Sequence, residues 1–375
     1  MNLTPCIGII GSQGVYGRWL RDFFHNRMHL EVLGYDPADS HSHSLQQVLD
    51  QADVLLFSVP IRQTPEIIAA CVQHSAGRER GRLWMDITSL KAKPVAAMLA
   101  SQASVVGLHP MTAPPKAPTL QGYMLVVCPA RVDAAWQDWL QQFYNALGAQ
   151  CVESTPQHHD QVMALVQAQA HALHLAQARV LRHYAPQLGS LDKLLPYRTT
   201  NFSLDTAVIS RILSLNPAIY EDIQFCNPYS KEALDQLLQE LQRLRKQLEE
   251  NTPASRHFFR RYFLNDNRDA ISKQTREEGN NRFEWLAYLL ADLNQPRYIT
   301  IYMPHDKPGS LSELLDIFTQ HKINLLSLHS AHNAAGELYF RIGFEKQTPI
   351  EKLSAAIAII QDRGIAQVRE SDFYL

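Results

Sequence analysis

From residue 6 onward the chain alternates short β-rich runs with amphipathic stretches, and this alternation constrains the fold more than any other feature. CIGII, LEVLGY, DVLLFSV, RLWMDI and SVVGL are five such runs, spread over residues 6–108 and separated by segments of helical periodicity. Parallel strands need a crossover between them, and helices serve as crossovers that also cover both faces of the sheet. The pattern predicts an α/β domain over residues 1–153, built on a parallel sheet.

The first run leads into Gly11-Ser12-Gln13-Gly14-Val15-Tyr16-Gly17 and then a helical stretch, RWLRDFF. Glycines in a strand-to-helix turn permit a tight bend and let a pyrophosphate approach the main chain. The N–H groups at the helix start then attract the anion. The spacing G-x-x-G-x-x-G departs from the usual G-x-G-x-x-G, and by itself it also suits a plain β–α turn. Asp36 adds the second half of the signal. It follows the second run, nineteen positions after Gly17, where a carboxylate accepts hydrogen bonds from the adenosine ribose and repels a 2′-phosphate. Alone it would read as a solvated loop acid; at this strand–helix–strand spacing it favours NAD over NADP. Ser58 and Pro60, in SVPI at the end of the third run, are expected on the cofactor side as well.

Two further segments, DITSLK (86–91) and GLHPM (107–111), fall at the carboxyl ends of predicted strands. Open α/β sheets bind ligands there. His109 is thereby placed toward the nicotinamide side, with Ser89 on the preceding loop. Imidazole is the natural proton acceptor near neutral pH, and a serine hydroxyl can orient it. For one histidine among sixteen, a surface loop position is the plain alternative.

Composition narrows the class. Lys and Arg number 35 against 37 Asp and Glu, a net charge of -2, with no basic patch to hold nucleic acid or an anionic membrane. The five cysteines (Cys6, Cys71, Cys128, Cys151 and Cys226) contain no C-x-x-C pair. That argues for reduced thiols in a cytoplasm, and against a zinc site or a disulfide frame. No metal is expected. No apolar run approaches membrane-spanning length, and no basic leader precedes the first strand.

Taken together, IGIIGSQGVYGR, SVPI, DITSLK, GLHPM and HDQVMALVQAQAH resemble the prephenate dehydrogenases in order and spacing, over roughly residues 6–295. The pairing of DITSLK with HPM is far more specific than the glycine motif. The resemblance implies that His109 is the catalytic histidine and Ser89 the serine that hydrogen-bonds near it. It also implies a helical substrate and dimerisation domain over 154–295, and a homodimer. Residues 157–184 carry helix-period apolar positions, with Asp160, Gln167 and His171 on one helix face. The resemblance sets Asp160 and His171 near the active site; buried, hydrogen-bonded interface residues are the alternative. Within ISRILSLNPAIYEDI it puts the family's carboxylate-binding arginine on Arg211, a side chain suited to bidentate pairing with prephenate. An ordinary surface salt bridge is the alternative there. The leucines of KEALDQLLQELQRLRKQLEE form an amphipathic stripe that reads as packing within the domain or across a dimer. After HPM, however, the chain reads TAPPKAP where the family has an aromatic or small residue and then Gly. The shape of this loop beside the substrate, and the role of Lys116, therefore stay open.

Over 296–375, RYITIYM, NLLSLHS, ELYFRIGFE, a helix near 349–362 and IAQVRES predict a ferredoxin-like βαββαβ domain. Ser310 and Glu313 read as a capping box. KPGSLSELLDIF with INLLSLHS after it resembles the ACT domain of amino-acid-pathway enzymes. That resemblance implies an amino-acid site at Gly309 and Asn324 with tyrosine as effector; a purely structural dimerisation module is the alternative. The activity implied is NAD-dependent oxidative decarboxylation of prephenate to 4-hydroxyphenylpyruvate, in tyrosine biosynthesis. An arogenate dehydrogenase runs the same chemistry on a substrate with an amino group, and the sequence does not separate the two. A rival of another class is a non-catalytic nucleotide and amino-acid sensor, against which the presence of His109 and Arg211 speaks. No helical chorismate mutase module is expected ahead of a strand that starts at residue 6.

Overall fold

A computed structural model describes residues 3–115, 117–294, 297–304, 307–332 and 338–371. Lys116 and the expected domain boundary at 295/296 lie outside the described residues. The chain forms two compact units, one built from residues up to 115 and from 119 to 257, the other from Phe258 onward.

The first unit holds a seven-stranded sheet: β1 (Ile7–Ile10), β2 (Val32–Tyr35), β3 (Val54–Phe57), β4 (Leu83–Asp86), β5 (Ser104–Pro110), β6 (Met124–Arg131) and β7 (Gln150–Glu153). Their order is β2-β1-β3-β4-β5-β6-β7. Strands β1 to β5 run parallel and correspond to the five predicted runs. The sheet then departs from the all-parallel expectation, because β6 pairs antiparallel with β5. No helix is found among the described residues between Pro110 and Met124, and without a crossover helix the chain turns back beside the strand it left. Two separate cores explain why the central strands are apolar on both sides. One gathers Ile7, Ile9, Phe24, Trp139 and Phe143, and the other Ile10, Phe57, Trp84 and Val105. Alternate residues of β1 enter opposite cores, as the period of two requires. Burying each such side chain is worth about 1.5–3 kcal/mol.

After β7 a helical region begins at Pro156, and it departs from the regular helix read in the sequence. Pro156–Met163 and Ala170–Leu188 are α-helical, but Ala164–Gln169 between them is a π-helix. Each i→i+5 turn takes one residue more than an α-turn, which rotates the residues beyond it by about 100°. Asp160 therefore leaves the face it was expected to share with Gln167 and His171. The longer helices that follow in this region are Thr200–Ser214, Pro217–Cys226 and Ser230–Glu250. Arg62, just past β3, pairs with Asp222 at 2.6 Å and Glu221 at 3.1 Å and so fastens the helix Pro217–Cys226 to the sheet.

In the second unit, after the helix Lys273–Leu293, come β8 (Tyr298–Met303), β9 (Leu325–His332), β10 (Leu338–Phe344) and β11 (Gln367–Ser371). They form an antiparallel sheet of order β11-β8-β10-β9. The helices Ser310–Gln320 and Ile350–Asp362 share a core with it through Leu314, Phe318, Leu353 and Ile357. The chain order is βαββαβ. The capping box is not formed: Gly309, at φ 97°, is the N-cap, and the Ser310 hydroxyl accepts instead from the Lys307 N–H at 3.1 Å. Among the described residues no helix is long and apolar enough to cross a membrane, and no cluster of three or more His, Cys, Asp or Glu could hold a metal ion.

Candidate active site

The strand order reverses direction between β1 and β3, so the crevice at their carboxyl ends is the natural ligand site of the sheet. Gly11 lies there at φ 86°. A Cβ on it would stand 2.4 Å from the Ser58 carbonyl oxygen, and one on Gly17 only 2.1 Å from the Gly11 carbonyl oxygen. The turn thus closes on itself and on the end of β3, leaving only main chain at the start of the helix Val15–Asn26, where Gly14 is the N-cap. Asp36 accepts the Gln13 N–H at 3.0 Å on one carboxylate oxygen and the Ala38 N–H at 3.0 Å on the other. Each oxygen keeps a further lone pair for a ribose hydroxyl. Ser58 is half-buried and Pro60 exposed beyond β3. This cradle fits a dinucleotide: bare backbone and a helix start for the pyrophosphate, and a carboxylate beside it.

His109 occupies the last turn of sheet at the end of β5 and is only 4% exposed. Burial pushes its imidazole well below the ordinary 6.5, and the neighbouring His159 and Lys91 push it the same way. At neutral pH it is therefore an uncharged base. Its hydrogen-bond partner differs from the one expected. Its Nδ1 stands 2.9 Å from His159 Nε2, and His159 Nδ1 stands 2.8 Å from Asp160 Oδ1. Ser89, half-buried on its loop, makes no hydrogen bond to His109. His159 is a residue of this cluster that the sequence does not single out, although it opens HDQVMALVQAQAH. Nothing local marks it, since it lies fifty positions from its partner.

Beneath this pair lies a fully buried ion pair, Lys91 with Asp86. Burial raises the Asp86 carboxyl and lowers the Lys91 amine, and their mutual attraction opposes both shifts. Lys91 Nζ also donates to the Leu108 carbonyl at 2.6 Å, one residue before His109. The main-chain N–H groups of Lys91 and Ala92 donate to Asp160 at 2.8 and 3.0 Å. DITSLK is thus the brace behind the histidines. Tyr16, inside the glycine motif, donates its hydroxyl to the Thr112 carbonyl at 2.8 Å and holds the start of the loop after HPM.

A second group forms on the helices. The ring of His171 meets that of Tyr220 edge-on at 4.9 Å, and its buried Nδ1 has no partner among the described residues, like Oε1 of Gln167 one turn earlier. Burial lowers the His171 imidazole, and His174 adds to this. Arg211, exposed in the last turn of Thr200–Ser214, pairs with no carboxylate among the described residues. Its charge acts on the Tyr220 hydroxyl. No side-chain contact among the described residues joins this group to His109.

Comparison with known proteins bears on this arrangement. The family model described as prephenate dehydrogenase, nucleotide-binding domain, matches residues 31–153, and prephenate dehydrogenase, dimerization domain, matches 155–263. The chain belongs to the prephenate dehydrogenase family. Curated relatives include the probable arogenate/prephenate dehydrogenase of Methanocaldococcus jannaschii, 27% identical over 62% of this chain and 53% of that one. Another is the T-protein of Enterobacter agglomerans, 30% identical over 59% of this chain and 56% of its own. The chain spans about half the length of these relatives. Among solved structures, the Aquifex aeolicus prephenate dehydrogenase crystallised with hydroxyphenyl propionate and NAD+ has the same fold, at TM-score 0.57 and 19% identity. It covers 72% of this chain and is itself covered completely. Asp36 and His109 fall within the stretch matched to the nucleotide-binding domain, His159, Asp160, His171 and Arg211 within that matched to the dimerisation domain, and the glycine turn lies ahead of both.

In the second unit, Gly309 and Asn324 are both exposed, and nothing lies within 4 Å of where a Gly309 Cβ would stand.

Proposed function

We propose that this chain is a cytoplasmic, NAD-dependent dehydrogenase that converts prephenate to 4-hydroxyphenylpyruvate in tyrosine biosynthesis. The observation that carries this reading is His109, a buried neutral base at the end of β5, on the side of the sheet where the Gly11 turn would seat a nucleotide. Bound NAD supplies the hydride acceptor. The chain does the rest. Gly11, Gly14 and Gly17 admit the pyrophosphate, Asp36 takes the ribose, and Ser58 and Pro60 border the cofactor. His109 accepts the proton of the C4 hydroxyl as hydride leaves that carbon, because negative charge would otherwise build on the oxygen. The carbonyl formed is conjugated through the ring to C1. The electron pair of the C1–carboxylate bond can then enter the ring as carbon dioxide leaves, and aromatisation drives the step. Ser89 borders the reacting hydroxyl. Arg211, free of any carboxylate among the described residues, and His171 hold the substrate carboxylates.

The protein acts as a homodimer, consistent with the exposed Leu173, Val180 and Leu188 in a segment matched to a dimerisation domain. Its C-terminal unit is an ACT-like module in which Gly309 and Asn324 take tyrosine as effector; the βαββαβ order and the open space at Gly309 support this.

The test is NADH formation with prephenate and with arogenate, side by side, in the intact chain and in His109→Asn. Turnover of prephenate that drops on the order of 100-fold or more in the variant is expected. A clear preference for arogenate would move the substrate assignment, and no turnover of either would favour the sensor reading.

A further inference from the structure

Asp160 is 2% exposed, and both of its oxygens are engaged as acceptors by main-chain N–H groups at the start of the helix Ala92–Leu99. A carboxylate is acceptor-only, and the two amide donors at the start of a helix suit it there. The 2.8 Å contact to His159 Nδ1 then requires that ring nitrogen to be the donor. With a single proton on its ring, His159 leaves Nε2 as an acceptor. His109 Nδ1, 2.9 Å away, must donate to it. The lone pair of His109 is thereby confined to Nε2.

We infer that His159 and Asp160 are positioning residues that fix the tautomer of His109 and make Nε2 its basic nitrogen. This rests on His109 being the proton acceptor. When Nε2 takes the substrate proton, the Nδ1 proton can pass to His159 Nε2. The positive charge then rests on the ring that faces the Asp160 carboxylate. One proton enters the chain and none is lost. The geometry is braced on every side. The Asn227 amide donates to the Asp160 carbonyl at 2.8 Å, and Lys91 holds Asp160 by its main chain and Leu108 by its side chain. The charged groups seen to act on the pair are Lys91, on His109, and Asp160, which touches His159.

The test combines a spectroscopic and a kinetic reading on the full chain. Nitrogen-15 NMR of imidazole-labelled protein, with His109 assigned by its loss in His109→Asn, should show a protonated Nδ1 and an unprotonated Nε2. His159→Phe removes the acceptor and should lower kcat on the order of 100-fold with KM little changed. His159→Gln keeps an acceptor for His109 and should recover most of that loss while holding the Nδ1–H signal. In Asp160→Asn an amide donor can face His159, and the His109 signal should shift toward Nε2–H. A protonated Nε2 on His109 in the unmodified chain would overturn the inference, and so would His159→Phe turning over within about twofold of it while His109→Asn is inactive. Where His159→Phe does not fold, the NMR of the unmodified chain decides alone. If His109→Asn keeps its turnover, it is the proton-acceptor reading that fails, which the NMR result does not affect.

Discussion

Removing one member of the Asp86–Lys91 pair should be among the costliest single changes in the first unit. Both side chains are completely buried. In Asp86→Asn, the Lys91 ammonium would keep only the Leu108 carbonyl as a strong acceptor. In Lys91→Met, the Asp86 carboxylate would keep only the Thr88 N–H and hydroxyl, at 3.1 and 2.6 Å. Its other oxygen already has no hydrogen-bond partner among the described residues. Breaking a buried pair in this way costs about 3–5 kcal/mol, because the remaining charge is desolvated and uncompensated. For a unit of this size each kcal/mol moves Tm by about 2–4 °C, so a fall of roughly 6–20 °C is expected. The double variant Asp86→Asn, Lys91→Met removes both charges and keeps an acceptor for Thr88. Its cost falls to the unpaired Leu108 carbonyl and the packing change, about 1–3 kcal/mol. It should therefore be more stable than either single variant. Urea unfolding monitored by tryptophan fluorescence reads this directly, since Trp84 lies buried on β4 two residues before Asp86. Additive losses in the double variant, or single losses below about 1 kcal/mol, would refute the reasoning.

Arg211→Ala should raise the KM for prephenate about 10-fold or more through loss of a charge-assisted pair, with a smaller change in kcat; an unchanged KM would hand the carboxylate to another residue. Asp36→Ala should narrow the preference for NAD over NADP by about 10-fold, the effect of roughly 1.4 kcal/mol, and an unaltered ratio of the two Michaelis constants would remove Asp36 from the ribose. Because burial holds His109 below 6.5, kcat/KM should stay level as pH falls past 6.5 and decline only further down; a limb centred at 6.5 or above would contradict this. The same depression has a definite sign for stability: below 6.5 the unfolded chain binds this proton first, so stability present above that value is lost as pH falls toward the folded value. Asn324→Ala should weaken inhibition by tyrosine while leaving uninhibited turnover as it was, and equal inhibition in the variant would place tyrosine elsewhere.

The features that the sequence determined by itself were carried by neighbours along the chain. The five parallel strands, the glycine turn with Asp36, and the βαββαβ order of the C-terminal unit all rest on periodicities and spacings of a few residues. The periods of 2 and 3.6 are visible in one dimension. His109 was legible too, because a strand end and the motif around it are local. The partner of His109 was not. His159 is fifty positions away with Asp160 next to it, and their place behind the histidine depends on how the helix Pro156–Met163 docks on the start of Ala92–Leu99. The π-helix at Ala164–Gln169 was equally invisible, since a pattern of apolar residues does not show where one extra residue enters a turn. Nor could it show that β6 turns back antiparallel, which hinges on the missing crossover helix. Ser310 looked like a cap from its spacing to Glu313, but the backbone of Gly309 at positive φ starts the helix one residue earlier. Local steric preference writes the elements into the sequence; which buried acceptor meets which ring is decided only when desolvation forces every polar group in the packed interior to find its partner.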